Sequence, residues 1–114
     1  MHEVGIAESA LKAALTEMER SGASRVRGMT LRIGRLAAVD GEALRFAFTA
    51  ITPGTALEGV KVSIEEVEPV AWCAECGKTF TAEGGFIFKC PDCGNFSGEL
   101  RSGREIELAR LELE

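Results

Sequence analysis

Cys73-Ala74-Glu75-Cys76-Gly77 and Cys90-Pro91-Asp92-Cys93-Gly94 form two near-identical hooks, with thirteen residues between Cys76 and Cys90. A C-x-x-C turn lets two thiolates reach one ion, and the glycine after each pair tolerates the positive φ that such a tight turn requires. Two hooks together complete a tetrahedron of soft sulfurs. That donor set suits zinc at about 2.3 Å per bond and leaves no open position for water, which makes the expected Zn²⁺ structural and not catalytic. Iron in a rubredoxin-like centre is the competing metal. A redox dithiol needs a single C-x-x-C in a βαβ setting, whereas here two pairs face each other. Two disulfides would belong to an exported chain, and Met1-His2-Glu3 lacks the basic start of a signal peptide. Thr79 and Phe80, then Phe86 and Phe88, are placed to pack as a short hairpin over the metal, the outline of a zinc ribbon.

His2 is the only histidine. A histidine at a chain start is ordinarily a polar residue on a frayed end, yet its chemical setting is favourable. The α-amine of Met1, the deprotonated amides of His2 and Glu3, and the His2 imidazole offer four nitrogens in one plane, a field that suits Ni(II) or Cu(II). Fused five-membered chelate rings offset the cost of displacing amide protons, so binding weakens as pH falls. Glu3 enters as a backbone ligand, while its carboxylate favours the dipole of the helix that follows.

The elements that must position these groups follow from periodicity. Val4, Ala7, Leu11, Ala14, Leu15 and Met18 recur at helical spacing up to a stop at Gly22. Met29, Leu31 and Ile33 alternate with Thr30 and Arg32 in a strand over residues 25–36. Asp40 caps a second helix carrying Leu44, Ala47, Phe48 and Ile51, ended by Pro53-Gly54. Val60, Val62 and Ile64 open a second strand that runs on toward Trp72. Residues 104–113 read as a third strand, with a twist or bulge because Ile106 and Leu108 differ in parity from Leu111 and Leu113. Residues 72–100 are then an insertion, entered and left by neighbouring strands and too small to fold on an apolar core without a staple.

Composition narrows the function classes. The 114 residues are 46% hydrophobic with a formal charge of -5, which metal-bound thiolates would make more negative, so nucleic acid is not an expected partner. Arg20, Arg25, Arg27, Arg32, Arg35 and Arg45 are expected to pair with carboxylates such as Glu65, Glu66, Glu68, Glu105, Glu107 and Glu112 across a sheet surface. No apolar run approaches the ~20 residues of a membrane span, and a cytoplasmic protein with no membrane partner is expected. No G-x-S-x-G, phosphate-binding glycine loop or second histidine is present, so the chain is not expected to be an enzyme. A zinc-ribbon adaptor would share the hooks. It would not explain His2, and residues 73–104 offer only Lys78, Lys89, Arg101 and Arg104 as cations.

Taken in order, Met1-His2-Glu3, Leu31-Arg32-Ile33-Gly34-Arg35-Leu36, Glu42-Ala43-Leu44-Arg45-Phe46-Ala47-Phe48, Trp72-Cys73 through Gly77, Cys90-Pro91 through Gly94, and Ser102-Gly103-Arg104-Glu105 resemble the HypA/HybF family of hydrogenase nickel-incorporation proteins. The resemblance covers essentially the whole chain. Each piece alone is widespread, and their order and spacing make the match specific. The resemblance implies a metallochaperone that delivers Ni(II) during maturation of [NiFe]-hydrogenase, with urease a further client of some relatives. Its implied partners are a nickel-handling GTPase and the hydrogenase large subunit, and the chain itself would be a monomer or weak homodimer. It assigns nickel, the cargo, to Met1, His2 and Glu3, and zinc to Cys73, Cys76, Cys90 and Cys93. It also implies an α+β fold: two helices packed on a three-stranded sheet, with an inserted four-cysteine zinc-ribbon module. Residues 1–71 plus 101–114 would form the nickel-binding domain and 72–100 the zinc-binding one.

Overall fold

The structure is a computed structural model that describes residues 2–82 and 88–114. The roles expected of Met1 and Phe86 therefore lie outside the described residues. In chain order the elements are α1 (His2–Ser21), β1 (Val26–Gly34), a 3-10 turn (Arg35–Ala37), α2 (Gly41–Ile51), β2 (Lys61–Val67), β3 (Val70–Cys73), β4 (Lys78–Thr81), β5 (Glu99–Ser102) and β6 (Ile106–Leu113). They form two three-stranded sheets, β2-β1-β6 and β4-β3-β5. The chain divides into two compact units. One comprises Met1–Leu31, Val39–Glu65 and Glu107–Glu114, the other Arg32–Ala38 and Glu66–Ile106.

In the first unit both helices form as their periodicity dictates. The buried positions of α1 are Ala7, Ala10 and Ala14, so a face of small residues packs against α2. Gly22 ends α1 at φ +75° in a Schellman turn. Its N–H donates to Glu19 O at 3.2 Å and that of Ala23 to Met18 O at 3.0 Å, satisfying carbonyls the helix end would leave bare. At the start of α2, Asp40 Oδ1 accepts the N–H groups of Glu42 (3.0 Å) and Ala43 (3.2 Å). Leu44, Ala47 and Phe48 turn inward, joined in the core by Val26, Met29, Leu31 and Leu57. A Cβ on Gly41 would lie 3.7 Å from Ile64 Cδ1, which puts the first turn of α2 over β2.

Arg25 and Glu114 exchange backbone N–H···O bonds, and the Gly34 N–H donates to Glu105 O, so β1 and β6 run antiparallel. Exposure departs from simple alternation on both strands: Arg27 and Arg32 face out with opposite parity on β1, and half-buried Leu108 differs in parity from Leu111 and Leu113 on β6.

Two strand boundaries differ from the sequence reading. The second strand does not run unbroken to Trp72, because Pro69, which has no N–H for a ladder, separates β2 from β3. The strand expected from residue 104 begins at Ile106, and β5, which was not anticipated, precedes it. Between β5 and β6 the chain crosses β1 with no room for a side chain. A Cβ on Gly34 would sit 2.1 Å from the carbonyl of Gly103, and one on Gly103, at φ +118°, would sit 2.7 Å from Pro69 Cα.

The arginines follow the expected cross-sheet pairing only in part. Arg35 reaches Glu66 at 3.4 Å and Glu68 at 3.2 Å, as the cross-sheet reading requires. Arg27 pairs instead with Glu114 at 2.8 Å, Arg20 with Glu17 at 3.6 Å, and Arg25 and Arg45 donate to the backbone carbonyls of Glu58 and Val62. Among the described residues no helix is long and apolar enough to cross a membrane.

Because backbone cannot yield as a side chain can, Gly34→Ala should destabilise the protein by on the order of 3 kcal/mol. Gly98→Ala, at a site with nothing within 4 Å and no positive φ, should leave stability nearly unchanged. Urea unfolding of the two variants checks this.

Candidate metal centre

The second unit is built around the hooks. Val70, Ala71, Trp72 and Cys73 pair antiparallel with Thr81, Phe80, Thr79 and Lys78, so the first hook is the turn of the β3–β4 hairpin. The second hook is a hairpin turn as well. Lys89 bridges Phe96, the Cys90 N–H donates to Asn95 O at 2.9 Å, and the Ser97 N–H donates to Phe88 O at 2.7 Å. Each hook closes alike: the Gly77 N–H donates to Cys73 O at 2.8 Å and the Gly94 N–H to Cys90 O at 2.9 Å. Both glycines take the left-handed conformation, at φ +64° and +77°. Ser97 fastens the two hairpins, its hydroxyl donating to Trp72 O at 2.5 Å.

This folding brings all four cysteines together, with their sulfurs within 4.8 Å of one another. The Cys73 and Cys93 sulfurs are 3.5 Å apart, those of Cys76 and Cys90 3.9 Å, and none is disulfide-bonded. A tetrahedron with bonds of about 2.3 Å has edges of about 3.8 Å, so these separations fit a four-thiolate zinc site. Cys73 and Cys90 are buried beside Ala71, Phe80 and partly buried Phe88, and Cys76 and Cys93 lie at the rim. Phe80 and Phe88 both pack beside the cysteines, but in two different hairpins, Phe80 opposite Ala71 and Phe88 bonded to Ser97, and not in one hairpin with each other as expected. Metal-free thiols so close cannot all ionise. The backbone N–H groups of Cys93 and Asp92 bring Cys90 down to about 7, while the hydrogen bond with the Cys93 thiol and burial push Cys76 up to about 12. A divalent cation resolves that conflict by favouring all four thiolates.

His2 and Glu3 head α1. Helix-opening amides have no intrahelical carbonyl to bond, which leaves these nitrogens uncommitted to the helix ladder. The His2 side chain is exposed, with Nδ1 3.4 Å from Glu3 Oε2. The same carboxylate oxygen accepts the Asp40 N–H at 3.2 Å, a tie between the starts of the two helices that the sequence reading missed. Its only sequence signal was two acidic residues, each at a helix start. A second missed contact is the ion pair of Lys78 with Asp92, which joins the end of the first hook to the interior of the second.

Comparison with known proteins gives a consistent result. A family model described as hydrogenase/urease nickel incorporation, metallochaperone, HypA matches residues 1–113. The hydrogenase maturation factor HypA of Methylocella silvestris is 39% identical over 114 residues, 100% of both chains. That of Picosynechococcus sp. is 40% identical over 113 residues, 99% of both. The solution structure of the Ni metallochaperone HypA from Helicobacter pylori has the same fold, with a TM-score of 0.70 at 18% identity over 97% of this chain and 96% of that one. A second HypA solution structure gives 0.73 at 20% identity, over 100% and 97%.

The Asp40 N–H, more than any other group, lowers the Glu3 pKa from its ordinary 4.5. A carboxylate depressed by folding stabilises the protein fully above its unfolded pKa and loses that contribution as pH falls through the lower folded value. In nickel-free protein, Glu3→Gln should therefore flatten the fall of stability below pH 4.5. Urea midpoints measured across that acid range, for wild type and variant, test it.

Proposed function

The chain belongs to the HypA family of hydrogenase/urease nickel-incorporation metallochaperones, and from that premise we propose that it carries Ni(II) at its amino terminus and delivers it during maturation of [NiFe]-hydrogenase. Urease is a second client class for the same cargo. The observation that carries this reading is the family match over residues 1–113, which spans the amino-terminal residues and all four cysteines.

Nickel is the cargo and is held by the Met1 amine, the amides of His2 and Glu3, and the His2 imidazole. Four nitrogens in one plane supply the strong square field that Ni(II) prefers. The position of His2 and Glu3 at the head of α1 supports this, since ligation there breaks no interior helix bond. Taking up nickel expels two amide protons, so acid, or a partner offering competing ligands, reverses binding. Residues 1–71 plus 101–114 act as the nickel-binding domain.

Cys73, Cys76, Cys90 and Cys93 hold structural Zn²⁺, which staples residues 72–100. The sulfur separations of 3.5 and 3.9 Å support zinc. The chain performs no catalysis itself. It works in the cytoplasm with a nickel-handling GTPase that supplies nucleotide hydrolysis and with the hydrogenase large subunit that receives the metal.

Two experiments test the reading. Ni(II) titration of the untagged protein should show one tight site, weakened on the order of 100-fold or more by acetylating the Met1 amine or by His2→Ala, with zinc content unchanged. One nickel bound with unchanged affinity and spectrum in the blocked protein would rule out the amino-terminal site. Cys90→Ser, or stripping with a strong chelator, should remove one zinc per chain and unfold the β3–β4–β5 sheet, read from the amide signals of residues 70–102. A coloured iron centre in the purified protein would overturn the zinc assignment.

A further inference from the structure

Four thiolates around one divalent cation carry a net charge of −2, and such a centre is retained best where positive charge stands close to the sulfurs. The surroundings of the hooks make this a matter of specific residues. Each C-x-x-C contains an acid, Glu75 in the first and Asp92 in the second, which adds to the negative charge at the site. Lys78 is the residue directly opposite Cys73 in the β3–β4 ladder. Residues opposite each other in an antiparallel pair project to the same face, so Lys78 leaves the sheet on the side of Cys73, Phe80 and Cys90, where the sulfurs are.

From there its ammonium crosses to the other hook and pairs with Asp92, which lies between Cys90 and Cys93. One cation from the end of the first hook is thus fixed by a carboxylate of the second. Arg101 is engaged elsewhere: it lies 4.6 Å over the Trp72 ring and pairs with Glu99 at 2.6 Å.

Resting on the zinc reading of the four cysteines, we propose that Lys78 is a positioning residue of the metal centre, a counter-charge clamped by Asp92 across both hooks that sets how tightly the ion is retained. The side chains of Lys78 and Asp92 are about half exposed, at 57% and 52%, so solvent screens the effect. A change nearer tenfold than a hundredfold in zinc retention is expected.

The test compares zinc loss to a competing chelator for wild type, Lys78→Met, Lys78→Arg and, as a control for net charge alone, Lys12→Met on α1. Lys78→Met should lose zinc about tenfold faster, with a parallel rise in thiol reactivity, while Lys78→Arg and Lys12→Met stay within about threefold of wild type. Equal retention in Lys78→Met, or equal loss in Lys78→Arg, would overturn the proposal. If Lys78→Met does not fold, the salt dependence of wild-type zinc release decides. Release should quicken as added salt screens the exposed ammonium, and release independent of salt would count against a counter-charge. Failure of the zinc reading is separately visible, as a folded wild-type protein that contains no zinc.

Discussion

Mutual repulsion among four sulfurs held within 4.8 Å of one another is the constraint on which the second unit turns. Among the described residues the buried cluster around the sulfurs is small, Ala71 and Phe80 beside Cys73 and Cys90, with Phe88 partly covered. A core of that size does not repay the entropy of ordering two hairpins. The sulfurs are themselves half of it, and as free thiols they conflict, one drawn toward ionisation while its neighbour resists it. A divalent cation bound among them would turn this conflict into attraction. The surrounding geometry serves that end: glycines that let each hook turn sharply, hairpins that aim each pair inward, and Ser97 fastening one to the other.

A different constraint governs the crossing of Gly34, Gly103 and Pro69. Gly34, Gly103 and Pro69 meet backbone to backbone, a contact that no side chain can share. Around it, the Leu36 N–H donates to Gly103 O at 2.8 Å, the Gly34 N–H to Glu105 O at 2.7 Å and the Ser102 hydroxyl to Glu68 O at 2.9 Å. Here the chain leaves β2 for β3 and returns through β5 to β6. Close packing of main chain, with its polar groups bonded, holds these segments together without much apolar area.

In the first unit the decisive feature is the meeting of two helix starts. Asp40 spends its side chain on the first turn of α2 and its own N–H on the Glu3 carboxylate. Glu3 in turn stands beside His2, so these two residues are tied to a helix cap. Alanines on α1 let α2 approach closely, which brings the two starts within reach. The head of α1 is therefore tied to a residue 37 positions away in the chain.

The sequence by itself determined the pieces whose cause is local. Helical spacing placed α1 and α2, an aspartate set the cap at Asp40, and paired C-x-x-C-G hooks announced a four-sulfur site, because a turn and its chelate geometry depend on neighbours in the chain. The parity change at Leu108 was legible for the same reason. Tertiary structure alone decided what depends on which distant backbone comes near. Neither the break at Pro69 and the separate strand β5, nor the contact of Gly34 with Gly103, nor the choice of Glu114 as the partner of Arg27 could be read from spacing, since many carboxylates and glycines were equally available. So it was with Lys78, whose position after the first hook was plain in the sequence. Only the hairpin register turns it toward the sulfurs, because opposite residues of an antiparallel pair must share a face.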